Sequence, residues 1–341
     1  MMDKNTFLLK TKKGGKGIQS LKMEIKNWAS YVRMVTKLNV YMVFVFLIIV
    51  ASLVSPVFLT PLNIFNILRQ VTPLGMVAIG MTFVILTGGI DLSVGSMMTL
   101  LVALVCGIMN FQDSRIPLAV LGVLGAGSLM GFANGIGITK VGIPPFVMTL
   151  GGMAVYKGLA LMYTTGYPMH GTTELFRSIT VGKIGPVPWC VFMFFGVAVG
   201  AYVVLTRTVF GRRVYAVGGN RIAARLAGVP VKYVELWVYV ICGLLTALGA
   251  IILASRLGVA DPLAGTGYEL DAIAAVVIGG TSLMGGVGGI GGTVIGVLIM
   301  GVINNLLNLL NVSAFLQMVV KGLIIVTAVG IYSLKERSKE S

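Results

Sequence analysis

The chain has 341 residues, of which 57% are apolar and only 11% charged, and it carries a formal net charge of +15. About a quarter of the residues in a soluble domain are charged, so this surface is too poor in charge for water and lipid must cover most of it. The basic residues cluster between apolar tracts, as on the cytoplasmic side of membrane proteins, which excludes nucleic acid as the partner.

Residues 1–38 form a basic tail, with Lys4, Lys10, Lys12, Lys13, Lys16, Lys22, Lys26, Arg33 and Lys37 set against Asp3 and Glu24. The tail is too long and too basic for a cleaved leader, and no A-x-A site follows the first apolar stretch. That stretch is therefore read as a retained span, and the tail suits anionic headgroups. About 20 apolar residues cross a bilayer. This places ten spans at 39–59, 71–88, 94–111, 116–138, 145–165, 188–206, 234–256, 271–283, 290–310 and 314–333, with eight left open. Between the first two, TPLNIFNILRQ alternates apolar and polar residues. It predicts a short interfacial helix with Thr60 as N-cap and Pro61 in its first turn. The eighth tract is too short to cross alone and breaks into GGVGGIGG, which predicts a re-entrant or broken helix sheltered inside the protein.

The expected fold is an all-α polytopic membrane protein. Its transmembrane domain covers 39–333, its cytoplasmic loop 207–233, and its C-terminal tail 334–341. Charge sets the orientation. Arg207, Arg212, Arg213, Arg221, Arg225 and Lys232 lie in 207–233 with no acid among them. An even number of spans puts this segment and both termini inside, and loops 166–187 and 257–270 outside. The first outer loop has only Arg177 and Lys183 as basic residues, and the second has none.

Glycine is abundant, at 46 residues. Gly127, Gly131 and Gly135, and again Gly288, Gly292 and Gly296, recur at a spacing that lines one helix face and lets helices approach closely. Cys106, Cys190 and Cys242 sit in apolar tracts without metal-ligand spacing and read as small core residues. No G-x-x-x-x-G-K-[ST] phosphate loop occurs. Gly286–Gly291 matches a dinucleotide pattern but lacks the βαβ frame and the following acid. Nucleotide energy would therefore come from a separate chain. His170 is the sole histidine, and no catalytic constellation or cofactor site emerges. These readings leave catalysis poorly supported.

Charges inside spans are informative because they are expensive there. Asp91, in LTGGIDLSVGS, either caps the next helix together with Ser93 or lines a pathway. Lys157 lies mid-span and has three options: snorkelling, pairing with an acid, or facing a wet cavity. Asp271, which starts the eighth tract, is a candidate cap, and Lys321 in the last span has options similar to those of Lys157. In segment 206–233, Thr208–Gly211 reads as a turn out of a span, and Gly218-Gly219-Asn220 as a break with Asn220 as N-cap. RIAARLAG then forms a short helix with Ile222, Ala223, Leu226 and Ala227 on its apolar side, ended by Gly228 and Pro230. It is either a docking element for a partner or a positive loop that only sets orientation.

Five stretches carry a family resemblance: MTFVILTGGIDLSVGSMMTL (81–100), GIPPFVMTLGGM (142–153), FGRRVYAVGGNRIAARLAGV (210–229), GTGYELDAIAAVVIGGTSLMGG (265–286) and QMVVKGLIIV (317–326). Through them the chain resembles the permeases of bacterial ABC importers of ribose, xylose, arabinose and galactose. ASRLGVADPLAGTGYELDAIAAVV brings it nearest to the ribose type. The resemblance implies a homodimeric permease in the bacterial inner membrane that works by alternating access. It also implies a cytoplasmic ATP-binding subunit and a periplasmic or extracellular sugar-binding protein. The family's coupling segment aligns with Gly211, Arg212, Gly218, Gly219, Asn220, Ala224 and Gly228. A glycine–aspartate segment aligns with Gly88, Gly89, Asp91, Ser93 and Gly95, which, with Lys157, are expected in the pathway or in its structural support. Related permeases carry nucleosides, branched amino acids or signalling sugars. An ion-driven secondary transporter would show acids at matched midplane positions in two halves, and Asp91 has no evident counterpart.

Overall fold

The computed structural model describes residues 40–313, 315–324, 326, 327 and 330. The tails at 1–38 and 334–341 lie outside the described residues. Apolar tracts become helices here because lipid offers no partners for backbone N–H and C=O groups, which must pair within the segment. In chain order the helices are α1 (Val40–Val54), α2 (Pro61–Leu86), α3 (Val94–Met109), α4 (Ile116–Ile136, continued by a π turn over Gly137–Val141), α5 (Pro145–Thr164), α6 (Glu174–Val181), α7 (Trp189–Arg207), α8 (Val209–Gly219), α9 (Arg221–Leu226), α10 (Val231–Leu257), α11 (Tyr268–Ile278), α12 (Ile290–Leu309) and α13 (Phe315–Ile324). Each of the ten predicted spans holds a helix. Six of these, built on α2, α4, α5, α7, α10 and α12, are long and apolar enough to cross a membrane.

The short strands are β1 (Met169–His170), β2 (Lys183–Ile184), β3 (Val187–Pro188) and β4 (Val259–Ala260). β1 pairs antiparallel with β4, Met169 opposite Ala260, and so ties the two predicted outer loops together. β2 and β3 pair with Lys183 opposite Pro188. These ribbons mark one end of the bundle, and α8 and α9 mark the other.

The expected interfacial helix is not a separate element. Thr60 does cap, its Oγ1 accepting the Asn63 N–H at 3.4 Å, but α2 then runs unbroken through Pro73 to Leu86. Of the polar residues that suggested an interface, Asn63 serves helix packing, while Arg69 donates to Asn66 within α2. Buried Asn63 and Asn305 of α12 exchange two amide hydrogen bonds, of 3.0 and 2.8 Å.

The core is built on glycine contacts. Gly127, Gly131 and Gly135 of α4 pack on the Gly243 carbonyl, the Tyr239 carbonyl and Leu236 of α10, where any added Cβ would collide. Gly292 and Gly296 of α12 likewise abut the Gly279 and Ala275 carbonyls beside α11. Gly288 departs from the predicted stripe. It lies before α12 in a loop, with φ +137°.

Two helices start inside the bundle. Residues 87–93 enter from the α8–α9 end before α3 begins. Residues 261–267 enter from the ribbon end before the 11-residue α11. The ribbon lies level with Cys106 near the end of α3, because Gly171, next to β1, abuts the Cys106 carbonyl. Farther along, the Gly265 N–H donates to Thr99 Oγ1 at 3.0 Å, which puts α11 about 10 Å inside the ribbon at 1.5 Å per residue. Only the first part of the predicted outer loop 257–270 therefore stays at the ribbon end. The rest descends along α3, its backbone satisfied by local turns such as Ala264 N–H to Asp261 O at 3.0 Å.

Candidate functional site

The segment after α7 differs from its sequence reading. Thr208 does not open a turn but caps a helix, its Oγ1 accepting the Gly211 N–H at 3.2 Å. α8 buries Gly211, Val214 and Val217, one helix face whose three-residue spacing was the available signal. A side chain at Gly211 would strike the Val204 and Leu205 carbonyls. Asn220 then caps α9 as expected, its Oδ1 accepting the Ala223 N–H at 2.9 Å. Gly228, with φ +79°, supplies the left-handed turn that ends it.

α9 is held from one side only. Ala224 is its single buried residue. Arg221 donates to Glu235 Oε2 of α10 at 2.8 Å, with the arginine half-exposed and the carboxylate buried. The predicted apolar side points away from the fold, with Ile222 75% and Leu226 85% exposed. Arg212 and Arg225 are also exposed.

The end of α8 closes a junction of three backbones. A side chain on Gly218 would overlap the Leu86 carbonyl at the end of α2 and the Gly286 N–H of the α11–α12 loop. Gly286 N–H itself donates to Leu86 O at 3.0 Å. An added Cβ on Gly285 would lie 2.9 Å from the Gly88 nitrogen, and Tyr215 Oη donates to Gly288 O at 3.0 Å. Gly219, by contrast, faces open space. The structure thus joins two sets that the sequence listed separately, the coupling glycines and the Gly88–Gly95 segment.

Asp91 is fully buried. Its Oδ1 accepts the Ser93 N–H at 2.9 Å and the Ser93 hydroxyl. Asn134 of α4 donates to Ser93 Oγ at 2.9 Å and reaches Asp91 Oδ2 at 3.5 Å. Tyr156 of α5 adds a 3.5 Å bond to Asn134. Ser93 makes no capping bond of its own, so the carboxylate takes the backbone N–H at the mouth of α3. Gly89 leaves room for the Tyr239 hydroxyl, and Gly95 for the Glu269 carboxylate. Sequence reasoning missed Asn134, Tyr156 and Glu269, whose meeting depends on tertiary approach alone.

Asp271 and Lys321, read separately from sequence, form one ion pair of 2.7 Å between α11 and α13. Lys157 stands apart. It is exposed on α5, the thirteenth of twenty residues, and among the described residues it pairs with no carboxylate. A lysine facing hydrocarbon at mid-helix costs about 2.5–3.5 kcal/mol on insertion scales, so a wet or protein-covered surface is its natural setting.

A multi-pass helical membrane protein with helices broken inside the bundle, and with a pair of short helices braced at one end, has the architecture of a transport permease. The family model described as "Branched-chain amino acid transport system / permease component" matches residues 63–329. The chain belongs to this family, the permeases of ABC importers, as its motifs implied. It is 48% identical over 295 residues to the ribose import permease protein RbsC of Bacillus subtilis (strain 168), covering 86% of this chain and 91% of that protein. It is 45% identical to RbsC of Escherichia coli (strain K12), covering 85% and 91%. It is 35% identical to the xylose transport system permease protein XylH of Escherichia coli (strain K12), covering 82% and 87%. No solved structure matches.

Proposed function

We propose that this chain is the membrane-spanning subunit of a monosaccharide importer of the ribose type. Its α8–α9 end and both termini face the cytoplasm, and its ribbon end faces outward, in a bacterial inner membrane. A separate binding protein delivers the sugar to the ribbon end, a separate ATP-binding subunit supplies the energy, and two permease chains enclose the pathway. Residues 39–333 are the transmembrane domain, with a basic cytoplasmic tail at 1–38 and a short cytoplasmic tail at 334–341.

The observation that carries this reading is α9. Ile222 and Leu226 project outward from a basic helix that Ala224 and the Arg221–Glu235 pair fix in place. Burying such side chains in a partner yields about 1.5–3 kcal/mol each. Docking there moves α8. The Gly218 junction passes that movement to the end of α2, to Gly88–Asp91 and to the α11–α12 loop. Gly211, Arg212, Gly219, Asn220 and Gly228 shape or flank this handle, while Asp91 and Ser93 stiffen the start of α3. The relatives' printed cargoes, ribose and xylose, support a sugar, and the family's printed description keeps a branched-chain amino acid as the alternative.

The test is ATP hydrolysis by the importer reconstituted with its genetic neighbours. Adding the receptor with D-ribose should raise hydrolysis several-fold. A rise with leucine or a nucleoside, and with no sugar, would remove the cargo. No rise with any receptor would remove the importer.

A further inference from the structure

Lys157 on α5 and Glu269 on α11 lie within about one helical turn of each other in depth beside α3. α5 runs parallel to α3: Thr149 Oγ1 donates to Ile90 O at 3.3 Å, and Tyr163 packs on Gly107. That register sets Lys157 level with Thr99, the residue that receives the Gly265 N–H. Glu269 lies about one turn away, against Gly95. The lysine lies within electrostatic range of the carboxylate. Yet no ion pair joins them among the described residues, whose three pairs lie elsewhere.

Both groups keep free hydrogen-bonding capacity. Glu269 Oε1 takes the Gly267 N–H at 3.3 Å. No donor of the described residues reaches Oε2, and that oxygen is not among the buried unpartnered atoms. Helical side chains tilt toward the N-terminus of their helix, which directs Lys157 away from the nearer, ribbon end and makes snorkelling to that surface unfavourable. Two opposite charges held near one level without an ion pair between them leave hydrogen-bonding capacity for a polar occupant. A carboxylate accepts from neighbouring hydroxyls and an ammonium donates to them, the complement of a neutral polyol.

Resting on the importer reading above, we propose that Lys157 and Glu269 form the polar contact point for a neutral polyhydroxylated cargo at the half-depth of the pathway. Gly95 is bare so that the Glu269 carboxylate can lie there. Two unpaired charges grip a passing sugar briefly and let it leave, as conduction requires.

The test uses the complete importer in proteoliposomes. Cysteines at 157 and 269 should react with a charged, water-soluble methanethiosulfonate at least about tenfold faster than a cysteine at Val199, exposed mid-way along α7. Background is low because Cys106, Cys190 and Cys242 are buried. Glu269→Gln and Lys157→Met should each lower D-ribose uptake about tenfold, the loss of one charged hydrogen bond. Receptor-stimulated ATP hydrolysis should persist, and Lys157→Arg should restore uptake. Thiol rates no faster than at position 199, or normal uptake in both variants, would overturn the proposal. So would a parallel loss of hydrolysis and uptake that Lys157→Arg fails to reverse. Wild-type proteoliposomes that move no ribose would instead remove the importer reading, and the thiol rates remain readable in that case.

Discussion

Gly131 on α4 and Gly218 on α8 each touch a backbone carbonyl, that of Tyr239 in the first case and of Leu86 in the second. Around Gly131 both partners are long, regular helices whose hydrogen bonds leave no slack. Around Gly218 the partners are a helix end and a loop that holds Gly285 and Gly286 at positive φ. The same absence of a side chain thus joins two regular helices in one place and a helix end to a loop in the other. Packed helices resist displacement, whereas a joint of turns shifts without unfolding the bundle.

Substitutions can break this contrast. Gly131→Val overpacks two rigid helices and should cost about 3 kcal/mol, read as a large fall in thermal midpoint in detergent. Gly218→Val meets the Leu86 carbonyl and should also cost about 1–3 kcal/mol, yet it should abolish stimulated uptake in protein that still inserts. Normal stimulated uptake by inserted Gly218→Val protein would erase the distinction. Arg221→Ala leaves Glu235 buried without its partner. Since the arginine is half-exposed, the expected loss is about 1 kcal/mol, against almost none for exposed Arg225→Ala. The double-mutant cycle of Asn63→Ala and Asn305→Ala should give a coupling smaller than the Arg221→Ala loss, about 0.6 kcal/mol, the average for hydrogen bonds between membrane helices.

Much of the fold was legible because lipid imposes one rule on every span. Apolar length alone located α1 and α12, and Thr60, Asn220 and Gly228 announced helix ends by residue type. The shortness of the eighth tract correctly signalled a helix that starts inside the protein. What failed to show was tertiary. The Asn63–Asn305 pair spans 242 positions, so Asn63 read as interfacial polarity. α8 hid because its two terminal glycines, Gly218 and Gly219, resemble a break, and only the junction explains why they end a helix. Lys157 was visible as a charge in a span, whereas Glu269 fell within the predicted outer loop 257–270 until the descent of 261–267 placed it at depth.

The central claim is that α9 meets the energy-supplying subunit. A photo-crosslinking residue can replace Leu226, and a second can replace Leu263, also exposed but near the ribbon end, in cells making the whole importer. The account predicts an adduct with an ATP-binding chain from position 226 and none from 263. An adduct with that chain from 263, or none from 226 in membranes that still take up sugar, would contradict it.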